Sequence, residues 1–198
     1  KQITFSKHSI WKIARNYTKE AGVRQLEREI GNVCRKAAKE IFTTERKKIA
    51  VTDRNIHRFL GKEKYTYQMA NIAAEVGIVR GLAWTSVGGD TLQIEVNVMP
   101  GKGELMLTGQ LGDVMKESAR TGISYIRSVS KKYAISPDFF EKHDIHVHIP
   151  EGAVPKDGPS AGITMAVAVL SAITEKEGRG DLAMAGGVTL RGRVLASG

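Results

Sequence analysis

Thr91-Leu92-Gln93-Ile94-Glu95-Val96-Asn97-Val98 alternates polar and apolar side chains along its whole length. Successive side chains of a strand point to opposite faces, so this stretch predicts a β-strand with one buried and one wet face. Working outward, Ile78–Val87 reads as a preceding strand, and Gly88-Gly89-Asp90 as the turn between them. Pro100-Gly101 ends the alternation, and Glu104–Thr108 and Ile145–Ile149 are further strands. Leu111–Tyr133 has helical periodicity, with Val114, Met115, Ala119, Ile123 and Ile126 on the inward face. Ile163–Ile173 is almost wholly apolar, which predicts a buried helix, and Leu182–Val188 and Thr189–Leu195 read as strands. Residues 69–198 therefore predict a mixed α/β domain.

Upstream the period changes from two to 3.6. Ser6 and Ser9 are candidate N-caps before Ile10, Trp11, Ile13 and Ala14. A second helix is expected from Gly22 into the forties. Its Val23, Leu26, Ile30, Val33, Ala37 and Ile41 recur at spacings of three and four. A third follows Thr52-Asp53, carries Ile56, Phe59 and Leu60, and stops at Gly61. Residues 1–61 thus predict a small helical bundle, with 62–68 as linker. The fold class is α/β in the α+β sense: a helical bundle followed by the mixed domain.

Of 198 residues, 41% are apolar and 26% charged, enough for a core without cross-links. The single cysteine, Cys34, cannot close an internal disulfide, and a reducing, cytoplasmic compartment is expected. No window approaches an uninterrupted apolar span, so no membrane helix is expected. Lys1–Ile10 has no apolar signal core. Residues 1–68 hold 17 of the 30 basic and 7 of the 21 acidic side chains, leaving the remainder near neutrality. A basic first third suits nucleic acid, an acidic neighbouring subunit or nucleotide phosphates, but equally a solvated helix surface.

No stretch carries the phosphate-cradling loop pattern, and Gly101-Lys102-Gly103 lacks the remainder of it. Gly158-Pro159-Ser160-Ala161-Gly162 matches the hydrolase elbow Gly-x-Ser-x-Gly. That fold requires a histidine after the serine, yet His8, His57, His143, His146 and His148 all precede it, so the α/β-hydrolase reading is rejected. Asp157, Gly158 and Pro159 nonetheless suit a helix start. Ser160 would then lie beside unpaired amides and a positive dipole end, where an oxyanion is stabilised. The alternative is an ordinary capping serine. A base could come from His146 or His148 with Asp157, but these two histidines also read as the polar face of a half-buried strand, or as an incomplete metal pair. A lysine base needs burial, and Lys156 in its Pro/Gly loop reads as too exposed.

The run His146-Val147-His148-Ile149-Pro150-Glu151-Gly152-Ala153-Val154-Pro155-Lys156-Asp157-Gly158-Pro159-Ser160-Ala161-Gly162 resembles the nucleophile segment of Lon proteases, ATP-dependent serine peptidases. Gly81-Leu82-Ala83-Trp84-Thr85 with Gly88-Gly89-Asp90 resembles the opening of their peptidase domain. Gly101 to Gly112 with Glu117-Ser118-Ala119 resembles its middle, and Thr189-Leu190-Arg191-Gly192-Arg193-Val194-Leu195 its end, in bacterial flavour. Tyr17 to Ile30 resembles the small helical subdomain of the AAA+ module.

The resemblance implies Ser160 as nucleophile, with Asp157, Ala161 and Gly162 as oxyanion and supporting positions. It implies Arg24 as the sensor arginine facing ATP phosphates, whose magnesium and main contacts lie in a large subdomain preceding Lys1. It further implies a homohexameric ring acting on unfolded or degron-bearing proteins. On charge alone DNA is a candidate partner of the basic domain, and on hydropathy no membrane partner is expected. The family's catalytic lysine would follow Gly198, so the sequence is expected to be a piece of a longer protein, inactive by itself. Ala185 and Gly187 stand where the family usually has Thr and Glu, and Ala196-Ser197 replaces its Pro-aliphatic pair. Lost hydrogen-bond partners there put the ordering of that lysine in question and motivate a second reading, a ring component that unfolds without cutting.

Overall fold

The computed structural model describes residues 2–65, 73–85, 87–150 and 156–196. Contacts divide the chain into two compact units, 1–68 with 86–88, and 69–85 with 89–198.

In the first unit, β1 (Ile3–Phe5) leads to α1 (Lys7–Asn16), followed by α2 (Arg24–Thr43), β2 (Ile49–Val51) and α3 (Ile56–Leu60). The three helices fall where the apolar spacing predicts them. Of the two candidate caps, Ser6 serves: its Oγ accepts the Ser9 amide at 3.1 Å, while Ser9 is buried inside α1. The Glu20 carboxylate caps α2, accepting the Gln25 and Leu26 amides at 2.9 Å each. Gly61 ends α3 with φ +79°, a conformation that suits glycine. Val23 departs from expectation. It flanks α2 as N-cap and is exposed, while Val33 and Ala37 are buried and Leu26, Ile30 and Ile41 pack beside them. The parallel pair β1–β2, with Ile3 opposite Ile49, was not anticipated, because three-residue strands are too short for an alternation to register. Ile13, Tyr17, Val33, Val51, Ile56 and Phe59 form the core.

The second unit is built on a five-stranded mixed sheet. Its strands are β4 (Ile78–Thr85), β5 (Gly88–Pro100), β6 (Leu105–Thr108), β7 (His143–His148) and β9 (Ala183–Met184), in spatial order β6-β7-β5-β4-β9. A separate antiparallel pair joins β3 (Glu75–Val76) to β8 (Glu177–Gly178). The alternation of Thr91–Val98 holds: Leu92, Ile94 and Val96 are buried, and the intervening side chains are half-buried or exposed. The expected turn at Gly88-Gly89-Asp90 is instead the first part of β5.

α4 (Asp113–Ser128) and α6 (Gly162–Thr174) pack against each other. Gly122 permits their approach, since a Cβ there would lie 3.1 Å from that of Ala166. The helix predicted over 111–133 is shorter than expected. Leu111 belongs to a β-bridge, and beyond Val129 the chain tightens into a 3-10 turn over Ser130–Tyr133. Val114, expected inward, is 44% exposed. α5 (Phe139–Lys142) was not anticipated. The buried helix over 163–173 is α6, as expected. The two strands expected over 182–195 shrink to β9 and a hairpin of β10 (Gly187–Val188) and β11 (Val194–Leu195). Gly186 and Gly192, with φ +157° and +74°, interrupt them.

Candidate functional site at the mouth of α6

Pro159–Ala161 forms a single 3-10 turn that runs directly into α6. Its apolar stretch places Met165, Ala168 and Val169 in the core, which fixes the helix and therefore its first turn. Ser160 is half-buried at this mouth. It does not cap the helix: α6 has no side-chain cap, and Gly162 N–H donates to the Pro159 carbonyl. The Ser160 hydroxyl makes no hydrogen bond among the described residues.

The turn is fastened by backbone instead. Gly186 N–H donates to the Ser160 carbonyl at 2.6 Å, and Ile163 N–H donates to the Gly186 carbonyl at 3.0 Å. Thr164, fully buried, donates its hydroxyl to the Met184 carbonyl at 3.0 Å. Sequence reading missed Gly186; its only signal was the Gly186-Gly187 pair inside an otherwise strand-like run.

Asp157 was expected at the start of α6 but serves another helix. Its carboxylate accepts the Met115 amide of α4 at 3.0 Å and the Gly158 amide at 2.9 Å. Met115 is the third residue of α4, where an orphan amide needs such an acceptor. Gly112 leaves room for it, since a Cβ there would lie 2.3 Å from the Asp157 carboxyl carbon.

Lys156, expected to be exposed, is buried at 9% exposure. The reason is local pairing: its backbone bridges Leu111 in parallel, with hydrogen bonds to Gln110 and from Gly112, and Nζ approaches the Gly109 carbonyl at 3.5 Å. The segment 151–155 of the quoted motif lies outside the described residues.

His146 and His148 do share one face of β7. Both rings bond to the Thr108 hydroxyl, at 2.8 and 2.6 Å. No hydrogen bond joins either to Asp157 or Ser160 among the described residues, so a His–Asp–Ser relay is not assembled. Nor do three His, Cys, Asp or Glu side chains cluster as metal ligands among the described residues.

Arg24 is the first residue of α2, exposed and without an ion pair among the described residues. Ala185 lies between the two residues that fasten the Ser160 turn. A Cβ on Gly187 would meet only ordinary contacts, 3.5 Å from Leu195 and 3.7 Å from the Pro159 carbonyl. Of the Ala196-Ser197 departure, Ser197 lies outside the described residues.

The second unit is thus an α/β domain that presents a serine hydroxyl, unbonded among the described residues, at the mouth of a buried helix. Residues 50–198 match the family model of the Lon protease (S16) C-terminal proteolytic domain. Residues 1–50 match that of the Lon protease AAA+ ATPase lid domain. The chain belongs to the Lon protease family.

It is 53% identical to the Lon protease of Lachnoclostridium phytofermentans, with all of this chain and 29% of that protein covered. It is 58% identical to the Lon protease of Clostridioides difficile, over 94% of this chain and 24% of that protein. Against Lon protease 1 of Bacillus subtilis the identity is 57%, over 96% and 24%. The chain thus spans about a quarter of the length of the curated relatives it matches. Among the described residues no helix is long and apolar enough to cross a membrane.

Proposed function

We propose that this chain is the lid and proteolytic portion of an ATP-dependent serine endopeptidase, with Ser160 as nucleophile. Residues 1–61 form the small helical subdomain of the AAA+ module and 69–198 the proteolytic domain. Residues 50–61 go with the first unit because Ile56 and Phe59 complete its core. The single observation that carries the reading is the Ser160 hydroxyl, held at the mouth of α6 while its own turn is tied down through backbone bonds.

In the reaction, Ser160 Oγ attacks the scissile carbonyl carbon and its proton passes to a lysine amine from outside residues 1–198. That amine then protonates the departing peptide nitrogen, and water hydrolyses the acyl-enzyme. The oxyanion falls to the helix-start amides around Ser160 and Ala161, while Gly162, whose own amide is spent on the Pro159 carbonyl, and Asp157, bonded to the Met115 amide of α4, support the loop.

ATP and Mg2+ would bind mainly to a large subdomain outside this chain, where ATP hydrolysis would supply the work of substrate translocation. Arg24, exposed and unpaired among the described residues, contributes a cation towards the phosphates. The assembly is a homohexamer in the cytoplasm that takes unfolded or degron-bearing proteins. DNA binding through the basic first unit would show as affinity falling steeply with salt.

In the full-length protein, Ser160→Ala abolishes casein cleavage and leaves ATP hydrolysis largely intact. Unchanged cleavage refutes the assignment. Ala185 and Gly187 support a second reading, an unfolding component that does not cut. Its mark is ATP-dependent unfolding by the unmutated protein with no peptide-bond cleavage.

A further inference from the structure

The structure assigns a positioning role to Thr164: its buried hydroxyl locks the nucleophile turn to β9. This inference rests on the reading of Ser160 as nucleophile. A threonine inside a helix ordinarily turns its hydroxyl back to the carbonyl four residues earlier. For Thr164 that carbonyl belongs to Ser160, and it already accepts the Gly186 amide at 2.6 Å. The Thr164 hydroxyl instead reaches out of α6 to the Met184 carbonyl at 3.0 Å.

Three bonds therefore interlock across the Ser160–Thr164 turn and the Met184–Gly186 segment: Gly186 to Ser160, Ile163 to Gly186, and Thr164 to Met184. The first two are backbone bonds and do not depend on the Thr164 side chain. Thr164 contributes the only side chain, and it is fully buried, so no water replaces it. Met184 is in register with Gly81 of β4, so the strand that receives the hydroxyl is itself paired into the sheet. The hydroxyl thus ties the helix mouth to the sheet next to Ser160. Without it, the helix mouth loses its side-chain tie to β9 and the Ser160 Oγ loses its fixed approach.

The test is steady-state peptide hydrolysis by the full-length protein. Thr164→Val keeps the volume and removes the donor. It is expected to lower kcat roughly 10- to 100-fold, as a small misplacement of a reacting atom does, with KM within about twofold because substrate contacts are untouched. Thr164→Ser, which keeps the hydroxyl and loses a methyl, is expected to recover kcat to within about threefold of the parent protein. If Thr164→Val does not fold, Thr164→Cys, a weak donor, is compared with Thr164→Ser, and the serine variant is expected to be the faster.

Unchanged kcat in Thr164→Val overturns the inference, as does a serine variant no better than valine or cysteine, which would mean that packing alone matters. Ser160→Ala run in parallel separates the two claims. If it still cleaves, the nucleophile reading fails. If it is inactive while Thr164→Val is unimpaired, only the positioning role fails.

Discussion

Ser6 and Ser160 each stand at the start of a helix, and they are used in opposite ways. Ser6 opens α1 by spending its hydroxyl on the Ser9 amide, in the ordinary manner of an N-cap. Ser160 stands at the mouth of α6, and its hydroxyl is spent on nothing among the described residues. The difference arises from what holds each turn. At α1 the backbone also contributes, with Ser6 N–H donating to the Val51 carbonyl at 2.9 Å and the Ser6 carbonyl accepting the Ser9 amide at 3.1 Å, and the side chain shares the Ser9 amide. At α6 the Met184–Gly186 segment fastens the turn, and the serine side chain is released from structural duty. A serine becomes available for chemistry when something else takes over its capping work.

This contrast is open to direct attack. The largest expected effect is functional: Ser160→Ala should lower peptide cleavage by at least about a thousandfold, the scale of losing a serine nucleophile. Its thermal unfolding should stay close to that of the parent protein, because no hydrogen bond is lost among the described residues. A large stability loss with cleavage retained would make Ser160 a structural serine like Ser6.

Arg24→Ala should come next. If Arg24 is the phosphate-facing cation proposed above, nucleotide hydrolysis by the full-length protein falls several-fold; unchanged hydrolysis would make it a surface arginine. Stability should move by no more than about 0.5 kcal/mol, as for a surface substitution.

Ser6→Ala is expected to be the mirror image of Ser160→Ala. It should cost about 1 kcal/mol of stability in the first unit by denaturant unfolding, with cleavage by the folded protein unchanged. Ser6→Asp should restore most of the loss.

The smallest effect concerns acid. The Glu104 and Lys102 amides donate to Asp144 and hold its carboxyl below the usual carboxylate range. A carboxyl lowered in this way stabilises the fold above its ordinary pKa and loses that contribution as pH falls through the lowered value. Asp144→Asn should therefore flatten the acid limb of the stability profile slightly, seen by unfolding midpoints between neutral and acid pH. No change in that limb would mean that the turn at Gly101–Glu104 holds without the carboxylate.

Where the sequence could be read, it was read through periodicity. Thr91–Val98 and the apolar run that becomes α6 announce themselves because one buried face, or full burial, constrains every residue in the run. Ser160 stood out from its Gly-Pro-Ser-Ala-Gly context, and the likeness to Lon proteases carried its assignment. What periodicity could not show were links between distant elements. Asp157 looks local to α6 but bonds the Met115 amide of α4, across 42 residues. Lys156 sits among Pro and Gly, the composition of an exposed loop, yet a backbone bridge to Leu111 pulls it under cover. The two-residue strands around Gly186 and Gly192 carry too few residues for a pattern, and their role emerges only once Gly186 is seen gripping Ser160.

The most direct test exposes the full-length protein to a peptidyl boronate and follows boron by NMR. A nucleophilic Ser160 gives a tetrahedral boron signal from an Oγ–B bond, absent in Ser160→Ala, and casein cleavage stops in step with it. The same signal from Ser160→Ala, or inhibition with no bond to Ser160, would contradict the account.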